Sequence, residues 1–160
     1  MNLPELNVKS PMSIDAFVHD RQRMLDSLVD NLAGLIYCNL YDEHWTMIYV
    51  SQGCQDLTGY SPDALVFNQH ISFAAMIYSE DCDWVRQKID EAVQRNQGFE
   101  VECRIIHASG EVIWVCERSY RIYNAQDEVR ALEGLIQNIT ARKLIEQSLR
   151  DTEFRYRSIF

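Results

Sequence analysis

The fold of this chain is decided by residues 99–140, FEVECRIIHASGEVIWVCERSYRIYNAQDEVRALEGLIQNIT. Apolar and polar residues alternate in three runs of this stretch, at 99–107, 111–123 and 129–140, and such alternation is typical of β-strands. The short turn ASGE and the polar loop NAQDE separate the runs. Connections this short join neighbouring antiparallel strands, so the stretch predicts a three-stranded meander.

Two more strands and a helical middle are predicted upstream of the meander. Residues 33–41 (AGLIYCNLY) alternate like a strand, and residues 45–51 (WTMIYVS) follow the turn-like YDEH, which predicts an antiparallel hairpin. Ser61 is a candidate cap of a short helix, and a longer amphipathic helix is predicted over residues 79–96. The fold class is therefore α+β, with a sheet of about five antiparallel strands and helices on one face.

Amphipathic helices are predicted on both sides of this core. Residues 1–12 contain two prolines and no periodicity, which predicts a flexible tail. Apolar residues then recur at helical steps over residues 13–31. Within residues 141–160, apolar side chains are spaced 4, 3, 4, 3 from Ile145 to Ile159, as in a short coiled-coil seam. This last segment is interpreted as a linker helix that continues towards a further domain of a longer protein.

Composition and charge narrow the possible functions. The net charge of −9 argues against nucleic-acid binding, which needs clustered Lys and Arg, and disfavours an anionic membrane surface. No apolar run approaches the roughly 20 residues that span a bilayer. The five cysteines form no close pair in the sequence, which indicates free thiols in a reducing compartment. A cytoplasmic location without nucleic-acid or membrane contact is therefore predicted.

Three strings in the chain resemble the PAS family, including the PAC segment that completes its sheet. They are IYVSQGCQDLTGYSPDAL (residues 48–65), SGEVIWV (109–115) and LEGLIQNITARK (132–143), in the order that the family has them. The last string is similar to the family's Asp-Ile-Thr signature followed by Glu-Arg-Lys. Asn138 and Ala141 stand here in the positions of the two acids.

The resemblance implies a PAS/PAC domain over residues 32–140. Residues 154–160 (FRYRSIF) resemble the opening of a second PAS domain. Family arrays of this kind feed a histidine kinase or a diguanylate cyclase, so the resemblance implies a non-catalytic sensory and dimerisation module. A ligand-free spacer for protein interactions is the alternative. A small thiol enzyme is a third possibility, because Cys54 and Cys82 fall in irregular regions.

The resemblance also implies a ligand pocket between the sheet and the long helix. Side chains alternate between the two faces of a strand, and the resemblance indicates which of them face the pocket. These mainly apolar inward side chains are Ile36, Cys38, Val101, Cys103, Ile105, Val115, Glu117, Ser119 and Ile136. Glu117 allows two interpretations. Its carboxylate contacts a small ligand, or the strand end is solvated and Glu117 faces water, which the ordinary distribution of glutamate favours.

The sequence lacks the residues with which PAS domains bind their known cofactors, flavin and haem. The reactive-cysteine string Asn-Cys-Arg-Phe-Leu of flavin photoreceptors is absent between residues 65 and 79, and residues 80–97 contain no haem-ligating His. The flavin-facing amide positions are occupied by Ile105, Val115 and Ile136, while Gln137 faces the other side. His70, just upstream, is the one alternative haem ligand, but a lone His is far more often an ordinary polar residue, so a flavin- or haem-binding sensor is the less favoured interpretation. No cofactor is therefore predicted.

No metal site or catalytic motif is predicted either. Cys103 and His107 share strand parity, but Cys116 points to the other face, so three ligands do not converge. A phosphate loop, a nucleophile elbow and a paired-carboxylate motif are all absent from the sequence. The chain is therefore not expected to be an enzyme.

The outer face of the sheet is expected to carry Trp114, Cys116, Tyr120 and Leu135. Large aromatic side chains on this face need cover, which the N-terminal helix or a second protomer can provide. A homodimer and the downstream domains of the same protein are the expected partners. The candidate dimer and transmission residues are Trp114, Tyr120, Ile145, Leu149 and Tyr156.

Overall fold

The computed structural model describes residues 13–123, 126 and 128–159, so the expected tail at residues 1–12 lies outside the described residues. The chain divides into two compact units, residues 1–31 and 32–160. In the first unit, helix α1 extends over Ile14–Asn31. The Ser13 hydroxyl oxygen accepts a hydrogen bond from the Ala16 amide at 3.2 Å, which satisfies one of the free donors of the first turn.

The second unit contains a five-stranded antiparallel sheet in the order β2-β1-β5-β4-β3. The strands are β1 (Leu35–Leu40), β2 (Met47–Val50), β3 (Phe99–Ile106), β4 (Val112–Tyr123) and β5 (Val129–Asn138). The predicted hairpin and the predicted meander are both confirmed. The two parts join because β1 also pairs with β5, which places the hairpin beside the last strand.

Helices connect and follow the strands. They are α2 (Gly53–Thr58), α3 (Pro62–Leu65), α4 (Phe73–Met76), α5 (Cys82–Gln94) and α6 (Thr140–Ile159). The short helices α2 and α4 were not predicted, since four to six residues are too few to show a helical period. Among the described residues, none of these helices has the length and hydropathy required for a membrane span.

The long helix begins one turn later than its sequence pattern indicates. Residues Ser79–Asp81 form a 3-10 turn, and α5 starts at Cys82. The carboxylate of Asp81 binds the Arg104 guanidinium through two oxygens, at 3.0 and 2.6 Å, instead of capping the helix. The Tyr78 amide also donates to the Arg104 carbonyl at 2.9 Å, so this segment covers the free edge of β3.

The core lies on the inner face of the sheet. Cross-strand register places Leu35, Ile136, Glu117 and Val101 in one row, each residue opposite the next. The buried residues of α5 are Val85 and Ile89. The inner face is therefore apolar apart from a few polar side chains.

Candidate functional site

A buried tyrosine and a buried glutamate are hydrogen-bonded in this core. Glu117, on the inner face of β4, is only 7% exposed. The Tyr37 hydroxyl, which comes from β1, donates a hydrogen bond to Glu117 Oε1. The hydrogen bond crosses β5, the strand that separates β1 from β4. The expectation of a solvated Glu117 is therefore wrong, because Glu117 lies in the middle of β4 and faces the core.

Gly134 separates the two partners on β5. It lies opposite Tyr37 on one side and opposite Ser119 on the other. A Cβ atom built at Gly134 would lie 2.3 Å from the carbonyl oxygen of Arg118, so the strands approach too closely for any other residue.

Burial shifts the proton affinity of both groups. Desolvation raises the pKa of Glu117 to about 7, against the opposing effect of the hydrogen bond from Tyr37. The pKa of Tyr37 lies well above its ordinary value, chiefly because of burial and then because of the nearby Glu117 charge. The pair therefore consists of a neutral phenol and an acid whose proton is retained to near-neutral pH.

The rest of the expected inward set divides into two groups. The residues on β3, β4 and β5 are buried as expected: Val101, Cys103, Ile105, Val115, Ser119 and Ile136. Ile36 and Cys38 of β1 were predicted to face inward, and this prediction is wrong. Both are half-exposed, and both line a groove on the outer face.

The pairing of β1 with β5 explains the error. Leu35 lies opposite the inward-facing Ile136, and Tyr37 lies opposite Gly134, so the odd-numbered residues of β1 face the core. A slip of one residue transfers a whole strand's side chains to the other face. The run LIYC offers apolar residues at both parities, and the one polar residue, Asn39, is buried. The hydrophobic pattern of β1 therefore did not indicate which of its two faces points to the core.

Sequence reasoning also missed two buried polar atoms near the β1–β2 turn. Among the described residues, Asn39 Oδ1 and Trp45 Nε1 are buried without a hydrogen-bond partner. The Arg86 guanidinium of α5 lies over the Trp45 ring, 3.7 Å from its centroid. One acceptor and one donor are therefore left without a partner at this end of the sheet. The pairing of Asn39 with Leu132, once known, would have identified the first of them.

The cysteine side chains do not form a nucleophilic site in the described residues. Cys54 was expected in an irregular region, but it lies in α2 and is fully buried, and burial raises its pKa to about 11. Burial also raises the pKa of Cys103 to about 12. Cys82 is half-buried and its sulfur lies 3.6 Å from the carbonyl oxygens of Ile77 and Tyr78. Buried neutral thiols are poor nucleophiles.

One group of possible metal ligands occurs on the outer face of the described part. The ligand atoms of Glu100, Glu102 and Cys116 lie within 4.8 Å of one another. Protein cations already neutralise the acids, because Arg118 pairs with Glu100 at 3.2 Å and Lys143 pairs with Glu102 at 2.7 Å. This arrangement is a set of ion pairs and carries no argument for a metal.

The first turn of α6 is attached to the outer face of the sheet through Trp114. The Trp114 amide donates to Thr140 Oγ1 at 3.0 Å, and the Trp114 carbonyl accepts from the Ile139 amide at 2.8 Å. The Lys143 amine lies 4.8 Å from the centroid of the Trp114 ring. Asn138 replaces the family's acid, yet its Oδ1 still accepts from the Thr140 amide at 2.9 Å.

Glu102 of β3 completes this attachment, which we call the α6 root (Glu102, Trp114, Thr140, Arg142 and Lys143). Its carboxylate binds Lys143 and also Arg142. The Lys143 hydrogen bond, with the Lys143 and Arg142 charges, lowers the pKa of Glu102. The helix is therefore joined to two neighbouring strands by hydrogen bonds and charge.

A sequence profile described as the PAS fold matches residues 47–136, more than half of the chain. The chain belongs to the PAS family. The match contains β2 to β4, the helices between them and nearly all of β5, so it includes Glu117 and Gly134 but ends before α6.

The chain is similar in sequence to one sensor protein and in fold to two solved structures. The chain is 26% identical over 129 residues to a methyl sulfide methyltransferase-associated sensor of Methanosarcina acetivorans. These residues make up 80% of this chain and 13% of that protein. A sensory box histidine kinase/response regulator from Burkholderia thailandensis is 23% identical with a TM-score of 0.66, over 86% of this chain and 98% of that one. The N-terminal domain of a diguanylate cyclase with a PAS/PAC sensor from Marinobacter aquaeolei is 17% identical with a TM-score of 0.60, over 69% and 98%.

The outer face of this PAS domain carries the expected dimer residues in two different environments. Trp114 is half-buried at the α6 root, whereas Tyr120 is 69% exposed. Tyr120 and Leu135 line an open groove of about 690 Å³ together with Ile36 and Cys38. On α6, the stripe residues Ile145, Leu149 and Tyr156 are each more than 60% exposed. The structure therefore brings Ile36 and Cys38 to the outer candidates and leaves the α6 stripe on the helix surface.

Proposed function

We propose that this PAS domain is a non-catalytic sensory and dimerisation module that transmits changes in its core to an output domain of the same protein. The observation that carries the proposal is the α6 root. A helix that starts on β4 and β3 receives any change in those strands at its first turn. The inner face of the same two strands holds the Tyr37–Glu117 pair.

A second copy of this chain is the proposed partner of the α6 stripe. The helix has 20 residues, or about 30 Å, and its stripe follows the seam spacing of a coiled coil. A single helix of this length is marginal in water unless packing stabilises it. Burial of exposed side chains such as Leu149 against the same residues of a second protomer would supply that packing.

The proposed output is a histidine kinase or a diguanylate cyclase, in a cytoplasmic protein. Solved relatives of the fold are named as parts of these two enzyme classes. The chain spans only 13% of the sensor that it matches, so proteins of this kind have room for such a domain.

A ligand-free spacer is the second candidate, and the filled core favours it. Tyr37, Met47 and Met76 are among the large side chains that are fully buried between sheet and helices. Asn39 Oδ1 and Trp45 Nε1 favour a small ligand instead. Native mass spectrometry of protein purified from its host distinguishes the two. We propose that it detects no flavin or haem, and a stoichiometric chromophore would contradict this.

The dimer is tested by the double substitution Leu149→Glu and Tyr156→Glu. Two charges on the stripe should convert a dimer into a monomer in sedimentation experiments, because burying unpaired carboxylates is unfavourable. The matched control is Gln147→Glu with Ser158→Glu, which adds the same charge to the opposite side of α6 and should leave association intact. Circular dichroism should show a folded sheet in both variants. If the stripe variant still associates like the control, the outer groove becomes the proposed interface.

A further inference from the structure

The Tyr37–Glu117 pair has no positive charge near it in the described part of the core. Tyr37 of β1 is the hydrogen-bond partner, and β3 contributes the thiol of Cys103, whose pKa the Glu117 charge helps to raise. The neighbouring strand β5 places Ile136 opposite Glu117. The buried residues of α5 are apolar. The next titratable groups, Cys82 and Asp81, act on Cys103, and Asp81 is paired with Arg104.

These surroundings suit a neutral acid and not a carboxylate. A protonated Glu117 keeps Oε1 as the acceptor for the Tyr37 hydroxyl. After ionisation, the carboxylate has this one described donor and no cation, which is an unfavourable state for a buried charge. Loss of the proton to bulk water therefore favours any movement that opens the inner face of β4 to solvent.

Strand β4 links this acid to the α6 root. Glu117 and Trp114 are three residues apart on β4, or about 10 Å. Trp114 holds the start of α6 through both its amide and its carbonyl. A loss of packing around Glu117 therefore acts on the strand segment that holds the helix.

We propose that the Tyr37–Glu117 pair is a proton-operated switch in this PAS domain, in which the neutral acid holds β4 and the start of α6 and release of its proton loosens both. The inference rests on the proposed function in one respect, namely that α6 carries the output. It adds the input to the proposed function, which is a change of pH.

The direction of the pH dependence follows from the burial of Glu117. Its pKa in the folded state is about 7, above the ordinary value of 4.5. A raised pKa contributes stability that is fully present below the ordinary value and is lost as pH rises through the folded value. The stabilising contribution of the Glu117 proton therefore decreases between about pH 4.5 and about pH 7, and little of it is left above pH 7.

Thermal unfolding of the whole chain tests the switch. For the native protein, we expect the melting temperature to fall by roughly 5 °C between pH 5.5 and 8.5, because the proton of Glu117 contributes only over the part of this interval that lies below its folded pKa of about 7. Glu117→Gln, which mimics the neutral acid, should remove this fall. The four histidines are unchanged in the variant, so their contribution is common to both proteins. Tyr37→Phe should move the midpoint to higher pH, because the Tyr37 hydrogen bond lowers the pKa of Glu117.

Two further measurements connect the proton to the helix. The side-chain carboxyl ¹³C signal that Glu117→Gln removes should titrate near pH 7. The Ile139 amide bonds to the Trp114 carbonyl, and the Lys143 amide bonds to the Ile139 carbonyl. Hydrogen exchange of both amides should be at least about tenfold faster in native protein than in Glu117→Gln at pH 8.5, and the ratio should become smaller at pH 5.5.

Identical pH profiles for the native protein and Glu117→Gln would overturn the switch, as would a carboxyl that titrates near 4.5. If the melting temperature depends on Glu117 and pH but hydrogen exchange at the α6 root does not, the switch is not connected to the helix. The α6 stripe variants test the dimer independently. If the stripe variant still associates and the pH effect persists, the proposed dimer is wrong and the switch stands.

Discussion

Glu102 and Glu117 lie on neighbouring strands, one residue out of register, and on opposite faces of the sheet. Glu102 of β3 pairs with Cys116, the residue before Glu117 on β4. Two cations bind Glu102 on the outer face, and they lower its pKa. A phenol binds Glu117 on the inner face, and burial raises its pKa.

The difference shows that the face of a strand determines what a glutamate does to stability. A lowered pKa contributes stability at neutral pH that disappears as pH falls below the ordinary glutamate range. A raised pKa gives the opposite dependence, and its contribution disappears as pH rises through about 7. The same residue type therefore limits the stable pH range of this domain from both sides.

Removing the Trp114 ring on the outer face should lower the free energy of unfolding more than the other substitutions considered below. Trp114→Ala deletes the half-buried ring that the Lys143 amine approaches, and we expect a loss of about 3 kcal/mol, near the lower end for large aromatic residues. Urea unfolding with light scattering measures both stability and association. Tyr120→Ala is the matched control, and it should change stability by less than about 0.5 kcal/mol because Tyr120 is exposed. Equal losses in the two variants would contradict the difference in their environments.

Removing the phenol on the inner face should have an intermediate effect. Tyr37→Phe leaves Glu117 without its described partner, and we expect a loss of about 2 kcal/mol at pH 8 and less at pH 5.5. Tyr41→Phe provides the comparison, since it removes a similar hydrogen bond to Asp90 at 2.7 Å that is only partly buried. Its loss should be near 1 kcal/mol or less. Denaturant titrations at both pH values decide, and a Tyr37 variant without pH dependence would be inconsistent with a buried proton.

Removing the charge on the outer face should have the smallest effect. Glu102→Gln should lose less than about 1 kcal/mol, and high salt should remove most of the difference, because partly exposed ion pairs are screened. The variant should also weaken the loss of stability at acid pH. Glu100→Gln, which affects the Arg118 pair and not α6, serves as the control for the same strand. A loss for Glu102→Gln that persists at high salt would show that the carboxylate acts through packing.

Most of the fold could be predicted from the sequence, because its strands carry a clear period and short turns. Residues 99–140 alternate over long runs, and the turn ASGE permits one pairing. The inward-facing side chains of these strands were therefore predicted correctly, and Val101, Cys103 and Val115 are buried as expected. The pairing of β1 with β5 is a long-range contact that was not predicted, because no local pattern in the sequence records it.

The candidate site was predicted less completely. Glu117 was identified, but its partner Tyr37 was not, because its neighbours Ile36 and Cys38 were assigned to the inner face in its place. The decisive contact joins residues 80 positions apart, and no local pattern records it. Asn39 and Trp45 were missed because polar and aromatic residues in a turn region normally indicate solvent exposure.

Gly134 makes the buried pair recognisable in other sequences. The phenol of Tyr37 reaches Glu117 across a strand that has no side chain at the crossing, where Gly134 lies between Tyr37 and Ser119. A tyrosine on the first strand, a glutamate on the fourth and a glycine on the fifth therefore form a three-position signature that can be read without a structure. A homologue that keeps the glutamate but carries a larger residue at the glycine position should have replaced the tyrosine as well. Variation at these three positions across relatives should accordingly be correlated.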